Sequence, residues 1–374
     1  MAERGGAAVT PLSNRSSVST RTNASALSHC DQLIPSANAV FLLIYTLVFL
    51  VGLILNGFTL KVYFCRAQQQ VSSSVTVYLK NLAAADFFIS LCLPLRITNY
   101  ASSSVHVRRV YCNFGASAFY LNMYASILFM GYVAANRYLK IIHPLGTHFL
   151  QTVRAAYIVS MVTWLVLVAT MSMYVLLSLL TQEPSPPAVS SAVDCDVLHS
   201  RQLAIFYKMV HVGSAAAFLL VLVSLVFFYS STSHRLSRAQ TRQPASSGCT
   251  KLAKSRRNML VLVGVFCVCF VPYHLVRLPY AFLRQRCAWR QAFYYLKELT
   301  ITVAVLNVCL DPLIYFIFCK AFRAQLSLRR RSSTTQATAL VATTERRSSD
   351  GRAGTVRFNR KTSLTAAANQ TGVL

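Results

Sequence analysis

Residues Cys112–Ile142 read CNFGASAFYLNMYASILFMGYVAANRYLKII. The run is apolar for longer than the ~20 residues that carry a helix across a bilayer at 1.5 Å per residue. It opens on a cysteine and closes on Asn136-Arg137-Tyr138. An arginine where an apolar helix leaves the membrane can snorkel to the interface, so the triplet alone marks only the end of a span. Whether it marks more depends on the other apolar runs.

The chain is 374 residues long, 55% hydrophobic and only 13% charged. Soluble domains of this size carry nearer 25% charge, so the composition is that of a membrane bundle. Seven apolar segments stand near 38–64, 73–100, 108–141, 154–180, 203–232, 254–283 and 292–318. The formal net charge of +27 would suit a nucleic-acid partner in a soluble protein. Here the basic residues lie between and after the apolar runs, so membrane topology accounts for them and no nucleic acid is expected. The fold class is therefore an all-α membrane protein, a seven-transmembrane helix bundle.

Loop charge orients the bundle. Residues 233–258 hold Arg235, Arg238, Arg242, Lys251, Lys254, Arg256 and Arg257 with no acid, and residues 320–374 are also strongly basic. Residues 1–32 and 181–202 are not. The tail and the 233–258 loop are expected in the cytoplasm and the N-terminus outside. Residues 1–37 form a polar segment without the apolar core of a signal peptide. It carries the glycosylation sequons at Asn14 and Asn23. Four cysteines fall on the outer side, Cys30, Cys112, Cys195 and Cys287, which as two bridges allow three connectivities.

Polar residues recur inside the apolar runs. They are Asn56 in GLILN, Asp86 in LKNLAAAD, Trp164, Pro272 in FCVCFVPYH, and Asn307, Asp311, Pro312 and Tyr315 in NVCLDPLIY. An aspartate at membrane depth is costly and points to function. Taken in order, each in its own span, these residues and the Asn-Arg-Tyr triplet resemble the rhodopsin-like (class A) G-protein-coupled receptors over roughly 38–330.

That resemblance implies a cell-surface receptor at the plasma membrane, not an enzyme, whose inner face binds a heterotrimeric G protein. It pairs Cys112 with Cys195, and then Cys30 with Cys287. It makes Arg137 the switch arginine, flanked by Asn136 and Tyr138, with Tyr229 and Tyr315 moving toward it on activation. Phe270 stands where many such receptors carry tryptophan, above the helix-bending Pro272. Asp86, Ser126, Asn307 and Asp311 form a candidate sodium site, the alternative being a water-filled hydrogen-bond network. No other cofactor or metal is expected. Residues 319–330 resemble the short amphipathic eighth helix on the inner membrane surface, with Cys319 a conceivable acylation site. Residues 331–374 are a disordered basic tail. There, Arg-Ser-Ser and Lys-Thr-Ser stretches would offer receptor kinases and arrestin phosphorylation sites, or rest against anionic membrane lipid. Asn136 stands where the family carries an acid. Its amide can hydrogen-bond to Arg137 but supplies no Coulomb attraction, so a weaker inactive lock and some basal signalling are expected.

The ligand reading rests on FVPYHLVRLPY and YYLKELT. His274, Arg277 and Tyr280 fall on one helical face at i, i+3 and i+6, and Lys297 lies on the next helix. With Tyr120 and Tyr124 from the third helix they make a site suited to an anionic, partly aromatic ligand. The alternative is that Arg277 and Lys297 pair with Glu298 and solvent. These segments are similar to the purinergic branch that senses ADP and UDP-sugars, and to its orphan and lysophosphatidylserine-receptor relatives. The resemblance implies a nucleotide or nucleotide-sugar ligand and an inhibitory-class G protein, the alternatives being a lysophospholipid receptor or a constitutively active orphan. Tyr207 and His211 depart from the histidine and asparagine of the nucleotide-binding members. A transporter, the reading from another class, would call for internal repeats, and none is visible.

Overall fold

The computed structural model describes residues 35–65, 73–102, 104–143, 148–181, 195, 200–242, 247–283 and 287–318. The helices are α1 (Pro35–Cys65), α2 (Ser74–Ala101), α3 (Val105–Ile142), α4 (Val153–Leu180), α5 (Arg201–Arg242), α6 (Ser247–Leu283), α7 (Cys287–Val305) and α8 (Asn307–Phe318). The last two form one span broken at Leu306. Seven spans are long and apolar enough to cross a membrane, as expected for a solvent that cannot satisfy exposed backbone groups. α5 and α6 run past the apolar stretches read from sequence, α5 ending at Arg242 rather than near 232 and α6 starting at Ser247 rather than 254. Apolarity marks the part of a helix inside the bilayer, whereas the backbone ladder continues into water. Asn14, Asn23, Cys30, Cys319, the surface helix at 319–330 and the tail lie outside the described residues.

The polarity pattern is that of a membrane protein. α4 exposes Ile158, Met161, Val162, Leu165 and Val166 while burying Ala155, Ala156, Ser160, Thr163 and Ser178. Small and hydroxylated residues face the bundle because lipid solvates the large apolar ones equally well. α3 packs on α2, α4, α5 and α6, so its residues meet four neighbours. At its start the helix takes a π turn, Tyr111–Gly115, and there Cys112 is bonded to Cys195 with a Cα–Cα distance of 5.3 Å. The pairing implied by the family resemblance is thus formed. Its companion Cys30–Cys287 cannot be followed, since Cys30 lies outside the described residues.

Two details tie α8 to the first two helices. Pro312 has no N–H, so the carbonyl of Val308, four residues earlier, loses its helical donor. Asn56 of α1 supplies one, its Nδ2 donating to Val308 O at 2.8 Å and to Gly52 O at 3.1 Å. Gly52 permits the approach: a Cβ there would lie 2.5 Å from Val308 Cγ1 and 2.9 Å from Ser90 Oγ. In the same interior, Trp164 Nε1 donates to Asn81 Oδ1 at 2.9 Å, joining α4 to α2.

Candidate functional site

Near the disulfide, α6 and α7 present two buried cations that share one ring. Arg277 is 7% exposed and Lys297 is 7% exposed. Arg277 Cζ lies 5.5 Å from the Tyr280 ring centre, and Lys297 Nζ lies 4.7 Å from the same centre. Tyr120 and Tyr207 also stand near Arg277, at 5.7 and 5.5 Å. Arg277 Nε donates to His211 Nε2 at 3.0 Å, so that imidazole nitrogen must be the unprotonated one. His211 in turn packs on Tyr207, ring centres 4.1 Å apart. The two positions that depart from the purinergic pattern therefore build the wall around Arg277.

His274 has a different setting. Its Nδ1 meets Phe270 O at 2.8 Å, and a carbonyl only accepts, so Nδ1 carries the proton. Nε2 stands 3.3 Å from the Tyr124 hydroxyl, and the ring stacks on Phe218 at 3.7 Å. Helical spacing puts His274 on the face of Arg277 and Tyr280. Packing draws it and Tyr124 into the contact between α3, α5 and α6, beneath the cations.

Arg96 of α2 was not among the residues the sequence singled out. It is 3% exposed, its Nη2 is 2.5 Å from Glu298 Oε2, and its Nη1 donates to Tyr111 OH at 2.8 Å. Rings of Tyr45, Tyr100, Tyr111 and Phe119 surround its Cζ at 4.8, 5.9, 5.9 and 5.5 Å. The Tyr100 hydroxyl donates to the same Glu298 oxygen. Lys297 Nζ stands 3.5 Å from the other, Oε1, so the pairing of Lys297 with Glu298 weighed from sequence does occur, with Arg96 as the nearer partner. A signal existed: Arg96 is a charge within an apolar helix, ten residues beyond Asp86, and an intramembrane charge asks for a named partner.

Deeper in the bundle the four residues of the candidate sodium site converge. Asp86 Oδ1 accepts from Ser126 Oγ at 3.0 Å and from Asn307 Nδ2 at 3.3 Å, and Oδ2 accepts from Tyr315 OH at 2.7 Å. Asp311, fully buried beside it, brings its carboxyl within hydrogen-bonding reach of the Asp86 carboxyl, so the two can share a proton. Asn307 Oδ1 and Asn122 Oδ1 are buried without a partner. Among the described residues neither carboxylate has an ion-pair partner. A cluster of hard oxygens with unused lone pairs and a surplus of negative charge fits a small hard cation.

At the far end of α3, Asn136 Nδ2 donates to Ser74 Oγ of α2 at 2.8 Å, while its Oδ1 has no partner. Its amide nitrogen is therefore tied to α2 and not to Arg137. Arg137 Nη2 donates to Phe318 O at 3.3 Å and its Cζ sits 4.8 Å from the Phe318 ring centre. Tyr138 bonds Ser231 at 2.9 Å and stacks on Phe228 at 4.7 Å. Tyr229 is half-buried on α5, and Tyr315 directs its hydroxyl to Asp86. Phe270 is fully buried against Phe266, and Pro272 lies within α6.

Comparison with known proteins agrees with this arrangement. Residues 55–315 match the model of the seven-transmembrane receptors of the rhodopsin family. Purinoceptor 14 of Bos taurus is 33% identical over 291 residues, covering 76% of this chain and 83% of that protein. G-protein coupled receptor 87 of Mus musculus is 31% identical over 301 residues, covering 78% and 81%. Purinoceptor 13 of Homo sapiens is 32% identical over 301 residues, covering 79% and 82%.

Proposed function

Given that the chain belongs to the rhodopsin family of seven-transmembrane receptors, a multi-pass membrane receptor that acts with a G protein, we propose that its ligand is an extracellular anion. A nucleotide or nucleotide-sugar fits best. The disulfide end then faces outward, and signalling runs through an inhibitory-class G protein. The observation that carries this reading is the buried pair Arg277 and Lys297, both over Tyr280. A guanidinium offers phosphate a planar fork of donors, and an ammonium offers a point charge. Tyr120 and Tyr207 supply faces for an aromatic base. Two of the relatives are named purinoceptors, which supports the nucleotide class.

The rest of the bundle serves the signal. Asp86, Ser126, Asn307 and Asp311 would hold a sodium ion, offsetting one negative charge of the carboxyl pair and keeping α8 against α2 and α3. Movement at Pro272 and Phe270 would release that packing. Arg137 would then leave the Phe318 carbonyl, the position in which α8 blocks the G-protein face, and Tyr229 and Tyr315 would move toward it. Phosphorylation of the basic tail by receptor kinases would recruit arrestin.

Inhibition of cyclic AMP in cells expressing the chain tests the reading, with ADP, UDP-glucose and lysophosphatidylserine applied to the parent, Arg277→Ala and Lys297→Ala. A charged hydrogen bond contributes about 1.5–3 kcal/mol, so each substitution should weaken a nucleotide response roughly tenfold to a hundredfold. A response to the lipid alone would move the ligand class while keeping the cations. Signalling that ignores all three compounds would leave a constitutively active receptor and refute the anion site.

A further inference from the structure

The end of α3 that carries Arg137 is tied to four different parts of the molecule by four consecutive residues. Asn136 donates to Ser74 of α2, Arg137 donates to the Phe318 carbonyl of α8, and Tyr138 shares a hydrogen bond with Ser231 of α5. Successive residues of a helix turn by roughly 100°, so neighbours in sequence reach partners on different sides. The fourth tie is made to the backbone. Gln151, between α3 and α4, donates from Nε2 to Leu139 O at 3.1 Å and to His143 O at 3.3 Å.

These carbonyls need a donor from outside their own helix. An α-helix closes on carbonyls that no later turn bonds, and α3 ends at Ile142 with His143 as its cap. His143 N donates to Leu139 O at 2.7 Å, but the next residue is Pro144, which has no N–H to give. The Gln151 amide takes that place, and its own backbone is fixed from both sides. Gln151 closes a single 3-10 turn, Phe149–Gln151, whose cap is His148: Nδ1 accepts from Leu150 N at 3.2 Å. Gln151 N donates to His148 O at 2.9 Å. On its other side Thr152 caps α4, Oγ1 accepting from Ala155 N at 3.2 Å. The His143 and His148 rings lie nearly parallel, 5.8 Å apart, and close the frame. Gln151 thus stands on the start of α4 and reaches back to the end of α3.

In the activation proposed above, Arg137 gives up the Phe318 carbonyl, and one of the four ties is lost. The last turn of α3 must then keep its shape on the other three. Resting on that switch and on the orientation proposed with it, we infer that Gln151 is a positioning residue for G-protein coupling. It keeps residues 139–143 helical, and so keeps Arg137 aimed, while Arg137 changes partner. The chemistry it needs is a donor at the end of the side chain, because both groups it meets are acceptors.

Two substitutions separate the donor from the shape. Gln151→Met keeps the length of the side chain and removes the donor. Gln151→Lys keeps a donor, and a cation suits the carbonyl end of a helix. Full-length receptor in lipid nanodiscs is mixed with a panel of purified heterotrimeric G proteins, and GDP release is followed without ligand and with ADP, UDP-glucose or lysophosphatidylserine. For the G protein that the parent drives, the concentration giving half-maximal release should rise about fivefold in Gln151→Met, the loss expected for about one net hydrogen bond. It should return to the parent's value in Gln151→Lys. Amide hydrogen exchange over residues 139–143 should quicken in Gln151→Met and not in Gln151→Lys. Coupling unchanged in Gln151→Met overturns the inference, since the other ties then suffice. An equal loss in both variants also overturns it, since the glutamine then acts by shape, and so does a parent that drives none of the panel. Failure of the nucleotide reading looks different: GDP release that ignores ADP and UDP-glucose, yet separates Gln151→Met from Gln151→Lys, supports the role of Gln151.

Discussion

Two regions of this bundle bury several charges, and among the described residues cations predominate in one and acids in the other. At the disulfide end the buried cations Arg96, Arg277 and Lys297 lie with one buried carboxylate among the described residues, Glu298, and aromatic rings stand beside each cation. In the middle, Asp86 and Asp311 lie together with no ion-pair partner among the described residues, and hydroxyls and amides fill the space around them. Quadrupolar ring faces stabilise positive charge, whereas O–H and N–H donors stabilise negative charge. A buried net charge is expensive, which is the reason for proposing a mobile ion of opposite sign in each region. Under the proposal above the outer region takes an anion and the inner one a small cation, and α3 and the seventh span pass through both.

Reversing the sign of one member should break the contrast most severely. Arg277→Glu removes a charge-assisted contact of about 1.5–3 kcal/mol and adds repulsion, so the response to an anionic agonist should fall by well over a hundredfold. Arg277→Lys keeps the charge but not the fork and should lose only about tenfold. Equal losses in the two concentration–response curves would mean that shape, not charge, governs the outer region. A smaller effect is expected in the middle. Replacing sodium by N-methylglucamine at constant ionic strength should raise agonist affinity about fivefold in the parent, the low end of typical couplings between sites. Asp86→Asn and Asp311→Asn should each abolish that dependence, and a parent indifferent to sodium would leave the two carboxylates sharing a proton instead.

The smallest effect belongs to the end of α3, where an amide, Asn136, precedes Arg137. Asn136 is bonded to Ser74, and Arg137 rests on the Phe318 carbonyl and ring. Asn136→Asp should supply the missing negative charge and lower ligand-free signalling about fivefold, worth about 1 kcal/mol. Basal activity equal to the parent's, measured as cyclic AMP in untreated cells at matched surface expression, would show that the Phe318 contact already holds Arg137.

Much of this was legible residue by residue. The seven spans follow from apolar length, and Asp86, Asn307 and Asp311 stand out because acids and amides are rare at membrane depth. Arg277, Tyr280 and Lys297 were found by helical spacing and by charge. His274 was grouped with them by the same spacing, yet Phe218 stacks on its ring and the Phe270 carbonyl holds its Nδ1. Spacing along one helix states which face a residue occupies, not which neighbouring helix covers that face. Arg96 was passed over for the converse reason: near the end of a span it reads as a snorkelling side chain, and its partner Glu298 is 202 residues away.

From the sequence alone come the number of spans, their approximate ends, the expected orientation and the kinds of charge each span carries. These depend on local composition, because a bilayer sorts residues by transfer free energy and compels the backbone into helices. Apart from Lys297 with Glu298, the partners of the buried charges came only from the tertiary structure. It joins Arg96 to Glu298 across α2 and α7, ties Asn56 to the carbonyl freed by Pro312, and turns Asn136 toward Ser74. Such pairings follow from rotation and contact between helices distant in sequence. Electrostatic interaction falls off with distance and depends on the medium between the charges, so composition supplies the signs and packing decides which of them meet.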